Sequence, residues 1–152
     1  MKKIIPNLAG LILILTIVDQ LTKRIAMRYT FDPVHIIGDF FTLKLSLNTG
    51  IAFSIPMPFI TILIVNSLLL ILLLVFAFKE LDLNKRPALI ITSLIIAGGL
   101  GNLIDRLMYF AVIDFISIWR YPSFNFADIY ITVGVLAFLV FYGRINRTKI
   151  KK

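Results

Sequence analysis

Four stretches of the chain, residues 4–21, 59–78, 87–104 and 126–142, are so apolar that hydrocarbon is a better solvent for them than water. A helix of about 20 residues crosses a hydrocarbon layer of about 30 Å, so each is long enough or nearly long enough to span one. Inside that layer backbone amides have no water to bond, and the α-helix is the form in which such a segment satisfies them itself. Of the 152 residues 59% are hydrophobic, well above the usage of soluble domains. The expected architecture is an all-α membrane protein in which residues 1–152 form one domain with four transmembrane helices. The first stretch follows Met-Lys-Lys and resembles a secretory leader. It contains no small-residue cleavage site and runs straight into DQLTKR, so it reads as a retained span.

The net charge of +8 would suggest nucleic acid as a partner of a soluble protein. Here the basic residues stand mostly at the ends of apolar segments, where they fix orientation, and no nucleic-acid partner is expected. Ten lie on one side by this reading: Lys2, Lys3, Lys79, Lys85, Arg86, Arg144, Arg147, Lys149, Lys151 and Lys152. Six lie on the other: Lys23, Arg24, Arg28, Lys44, Arg106 and Arg120. Both termini are therefore expected in the cytoplasm. The two connections on the far side are long. In the first, from about Thr22 to Pro58, Phe41, Leu43, Leu45 and Leu47 alternate with Thr42, Lys44 and Ser46, which predicts a small β-rich extracytoplasmic element between spans one and two. The second is the stretch VIDFISIWRYPSFNFADIY, residues 112–130. Its aromatic residues Trp119, Tyr121 and Phe124, with Phe40 and Phe41 of the first, suit a membrane interface.

Polar residues beside apolar runs need a reason, because an ionised Asp at the bilayer centre costs roughly 2.5–3.5 kcal/mol on insertion scales. Five clusters qualify: DQLTK at 19–23, NTGIAF at 48–53, GGLGNLIDR at 98–106, VIDFI at 112–116 and FNFADIYI at 124–131. All map to the same, non-cytoplasmic side. Asp19 and Lys23 are four apart on a helix and can pair, structurally or functionally. Asn102, Asp105 and Arg106 share one side of the third span, just above glycines 98, 99 and 101, which admit a neighbouring helix or a substrate backbone. Asn48 and Gly50 are ordinary turn residues on their own.

Asp114 and Asp128 carry the chemistry. Each is framed by apolar residues, so each carboxyl is only partly hydrated. Asp128 alone could be a helix N-cap, with Asn125 one turn before it. Two such carboxyls flanking one short connection make an acid–base dyad. They cannot both ionise cheaply, so one keeps a proton while the other is an anion able to activate water. Other chemistries lack their residues. There is no Cys and one His, His35, which removes thiolate nucleophiles and multi-histidine metal sites, and no cofactor or metal is expected. A small proton-coupled transporter would need carboxylates at several depths. A non-enzymatic assembly subunit would tolerate loss of either Asp.

The five clusters, in this order on four spans, resemble the lipoprotein signal peptidase family, signal peptidase II of the bacterial inner membrane, over nearly the whole chain. The resemblance implies an aspartic endopeptidase that removes the signal peptide from diacylglyceryl-modified prolipoproteins, cutting before the lipidated cysteine. It implies Asp114 and Asp128 as the catalytic pair. Asp19, Lys23, Asn48, Gly50, Asn102, Asp105, Arg106, Asn125 and Ala127 match the family's supporting or substrate-binding positions. It also implies a multi-pass inner-membrane location with the site near the extracytoplasmic face, membrane lipid as surroundings, and a monomer.

Overall fold

The computed structural model describes residues 4–30, 32–50 and 57–146. Ile51, Ala52 and Phe53 of NTGIAF, and the terminal basic residues Lys2, Lys3, Arg147, Lys149, Lys151 and Lys152, lie outside them. The chain runs α1 (Ile4–Tyr29), β1 (Val34–Ile37), β2 (Phe41–Asn48), α2 (Phe59–Glu80), α3 (Arg86–Tyr109), β3 (Val112–Ile118) and α4 (Phe126–Ile145). All four helices are long and apolar enough to cross a membrane by length and composition.

Helix α3 is the axis of the bundle. More than half of its apolar window, 56%, is buried, against 11–17% in the other three, because α1, α2 and α4 each pack on it and leave their outer faces of Leu, Ile, Val and Phe exposed. Three glycines admit those neighbours from three directions. A Cβ at Gly98 would strike the Ala127 carbonyl on α4, one at Gly99 would come within 2.5 Å of Leu70 on α2, and one at Gly101 would strike Asp19 on α1. Helix packing and site construction thus use the same glycines.

The two ends of the bundle have different interiors. At the end holding the α2–α3 turn, Leu8, Ala77, Leu81, Leu83, Ala88, Ile91 and Ile145 form an apolar core. At the opposite end the buried residues include the polar Asp19, Lys23, Asn102, Asp105, Asp114 and Asn125. Over this polar end lies an antiparallel sheet of order β1-β2-β3.

The structure departs from the sequence reading in four ways. The second long connection supplies β3, so the sheet is not confined to the segment between α1 and α2. Helix α1 continues to Tyr29 and α3 to Tyr109, well past residues 21 and 104. Asp19, Lys23 and Asp105 satisfy one another inside the bundle, so they do not end the helices they interrupt. Lys23, Arg24 and Arg28 are therefore helical residues, and the first connection starts later than Thr22. Finally, the alternation along β2 fails beyond a bulge between Leu43 and Ser46, which turns the later residues of the strand to a different face. Leu47 is consequently exposed.

Candidate active site

The site rests on a buried charge cluster. Lys23 Nζ lies 2.8 Å from Asp19 and 2.7 Å from Asp105, with all three side chains at most 1% exposed. It also donates to Asn102 Oδ1 at 3.1 Å. Charges this deep are tolerable only when paired and fully hydrogen-bonded. The remaining oxygens are bonded accordingly, and these bonds tie four elements together. Asp19 accepts the backbone N–H of Ala127 at the start of α4, at 2.9 Å. Asp105 accepts the N–H of Ile113 in β3 at 3.1 Å and the Gln20 amide at 2.8 Å. One lysine thus organises α1 and α3, and through two carboxylates it fixes the neighbours of both candidate catalytic residues. Gln20 belongs to this cluster although the sequence reading passed over it; its place beside Asp19, one residue from the ion pair, was the available signal.

Two asparagines form the next layer. Asn125 is the N-cap of α4, not Asp128: its side-chain oxygen accepts the Asp128 N–H at 2.9 Å, and Asp128 answers by accepting the Asn125 N–H at 3.3 Å. This reciprocal capping box fits α4's first turn and places an anionic side chain at a helix N-terminus. The fully buried Asn125 amide also donates to Asp114 at 2.7 Å, and shares its protons with Asn102 Oδ1 at 3.2 Å and the Ile113 carbonyl at 3.3 Å. Asn102 in turn donates to Asp128 at 2.9 Å. Each aspartate is therefore held by an amide, and the two amides are bonded to each other.

Asp114 and Asp128 both open onto one cavity of about 340 Å³, lined also by Asn48, Asn66, Asn102 and Arg106. Asp114 sits on β3 opposite Ser46 and is nearly fully buried, whereas Asp128 is half-buried. Burial, and next the negative charge of Asp128, push the Asp114 carboxyl up to about 7 despite hydrogen bonds from Asn125 and Asn48 and the positive charge of Lys23. A carboxyl poised near neutrality is suited to proton transfer.

The structure brings all the sequence-predicted site residues to the sheet end of the bundle. Their tasks differ. Asp19, Lys23 and Asp105 build the frame, and Ala127 contributes a backbone N–H and a buried methyl group. Arg106 donates to the Gly50 carbonyl at 3.2 Å and to the carbonyl of Asn102 at 3.3 Å. It thereby ties the loop after β2 to α3. Gly50 itself donates to Asn48 at 3.0 Å, and Asn48 is the last residue of β2, not part of an irregular turn. Asn66 was not anticipated, although a lone amide in the run FITILIVNSLLLILLL is its sequence signature.

Sequence comparison with known families returns the profile described as signal peptidase (SPase) II over residues 11–143. The chain belongs to the signal peptidase II family. A lipoprotein signal peptidase of Dehalococcoides mccartyi is 45% identical over 129 residues, covering 82% of this chain and 81% of its own. One of Borrelia hermsii is 34% identical over 148 residues, covering 86% and 85%. A bacterial membrane enzyme solved at 1.9 Å superposes with a TM-score of 0.79 at 30% identity, covering 92% of this chain and 94% of that one. Membership agrees with the four apolar helices, makes the chain a peptidase and a multi-pass membrane protein, and implies a prolipoprotein substrate.

Proposed function

We propose that Asp114 and Asp128 are the catalytic dyad of an aspartic endopeptidase that releases the signal peptide from diacylglyceryl-modified prolipoproteins, cutting before the lipidated cysteine. The observation that carries this reading is the pairing itself: two carboxyls on different elements line one cavity and are bridged by the Asn102 and Asn125 amides. In the reacting state Asp114 holds the proton and Asp128 is the anion. Asp128 takes a proton from water as the oxygen attacks the scissile carbonyl carbon. Asp114 gives its proton to the carbonyl oxygen. In the collapse of the tetrahedral intermediate that oxygen returns its proton to Asp114, the C–N bond breaks, and the amine leaves with the proton held by Asp128. Water is consumed, and both carboxyls return to their starting states.

The sheet end is the extracytoplasmic face of the bacterial inner membrane, with both helical termini of the chain directed to the cytoplasm. The charge asymmetry of the loops supports this, as do the exposed Phe40, Trp119 and Tyr121 around the sheet. There the scissile bond meets water while the acyl chains stay in lipid, and the protein works as a monomer. A transporter is disfavoured because, among the described residues, the buried carboxylates Asp19, Asp105 and Asp114 all lie at the sheet end. The test is cleavage of a diacylglyceryl-modified precursor and of its unlipidated form by purified protein with a chelator present. The lipidated precursor is expected to yield a product beginning with the modified cysteine, and the unlipidated one to stay intact. Equal cleavage of both would refute the substrate class, and loss of activity to the chelator would refute the mechanism.

A further inference from the structure

Helix α2 contains one side-chain amide, Asn66, seven residues after its first residue Phe59, or about 10 Å along the axis. Its Nδ2 is buried and has no hydrogen-bond partner among the described residues. Such an orphaned donor is rare in folded proteins and wants a reason. Asn66 lines the same cavity as Asp114 and Asp128. The cavity's other asparagines are committed, Asn102 to Asp128 and Asn48 to Asp114. Asn66 therefore offers the cavity a donor that no described residue takes up.

A signal peptide arriving as a helix carries the complementary need. The last turn of any helix leaves its carbonyls without intrahelical donors, and in a low-dielectric cleft no water replaces them. Presenting an extended scissile bond to the dyad unwinds that turn and frees further carbonyls. A scissile bond held at the dyad brings these carbonyls to the cavity that Asn66 lines.

We propose that Asn66 is a substrate-binding residue whose Nδ2 donates a hydrogen bond to a main-chain carbonyl in the last turn of the signal peptide. The assignment rests on the reaction proposed above. It is tested by Asn66→Leu and Asn66→Asp in steady-state cleavage of a lipidated precursor, with thermal unfolding measured on each variant. Loss of one neutral hydrogen bond predicts that Asn66→Leu raises KM about 2- to 10-fold while kcat holds. Its Tm stays level or rises, because the variant removes an unsatisfied buried amide. Asn66→Asp, which places an acceptor against a carbonyl, raises KM further. The KM effect persists with a precursor carrying ether-linked chains, which have no ester carbonyl. Unchanged KM in both variants, a Tm that falls together with activity, or an effect that vanishes with the ether lipid would each overturn the assignment. Wild-type protein that fails to cleave the precursor would instead refute the reaction itself.

Discussion

Replacing Lys23 with Met keeps the length and apolar stem of the side chain and deletes its charge. That charge lies within 2.8 Å of two carboxylates, both 0% exposed. Removing one partner of a buried ion pair typically costs about 3–5 kcal/mol, because the charge left behind is neither solvated nor paired. Here two carboxylates are stranded, and Asn102 Oδ1 keeps only the amide of Asn125. Asp19 and Asp105 still face the N–H groups of Ala127 and Ile113, so the damage centres on the start of α4 and on β3. The assay is thermal unfolding of the purified protein in detergent. At about 2–4 °C per kcal/mol for a chain of this size, Lys23→Met should lower Tm by on the order of 10 °C. The loss should shrink in acid, where the stranded carboxylates take up protons. Activity carries a second signature. Lys23's positive charge lowers the Asp114 carboxyl, so in the variant Asp114 keeps its proton to a higher pH than in wild type. A stability loss below about 1 kcal/mol, the scale of a solvated surface pair, would show that the cluster does not support the site.

Other perturbations test separate parts of the frame. Asn125→Ser retains a capping oxygen but loses the amide that reaches Asp114; cleavage should fall on the order of 10²-fold through misplacement of the dyad, while Tm falls by less than for Asn125→Ala, which also forfeits a cap worth roughly 0.5–2 kcal/mol. Gly101→Ala drives a methyl group into Asp19, whose bonds to Lys23 and Ala127 prevent it from yielding, and overpacking of this kind costs about 1–3 kcal/mol, readable as a lower Tm. The pH profile of cleavage should decline as pH rises through about 7, where Asp114 loses its proton. The same raised carboxyl gives a stability contribution that is complete below the unfolded value of 3.8 and is lost as pH rises to about 7. A decline in cleavage centred below pH 5 would contradict the assignment of the proton to Asp114.

The spans were legible because membrane solvation imposes a length and a composition that single residues cannot disguise. The two cavity-lining carboxyls stood out for the converse reason: Asp114 and Asp128 are costly where they stand. Helix ends were misjudged because hydropathy treats Lys23 and Asp105 as interruptions, whereas in three dimensions their charges compensate one another, with Asp19, and the helices run on. Strand β3 was missed because its partner β2 lies more than 60 residues away in sequence, and VIDFISI has no polar alternation to mark a surface strand. The capping role of Asn125 was within reach, since Asn followed three residues later by Asp is a capping-box spacing. The Asn66 amide, without a partner among the described residues, becomes meaningful only once α2 is known to border the cavity that Asp114 and Asp128 line.

The most direct test of the central claim is single-turnover cleavage of a diacylglyceryl-modified precursor by Asp114→Asn and Asp128→Asn. Each substitution nearly preserves shape and leaves one carboxyl without its partner. With folding verified by thermal unfolding, each variant should lose at least about 10³-fold in rate, a scale comparable to loss of a principal transition-state interaction. Cleavage by either variant within tenfold of the wild-type rate would contradict the dyad.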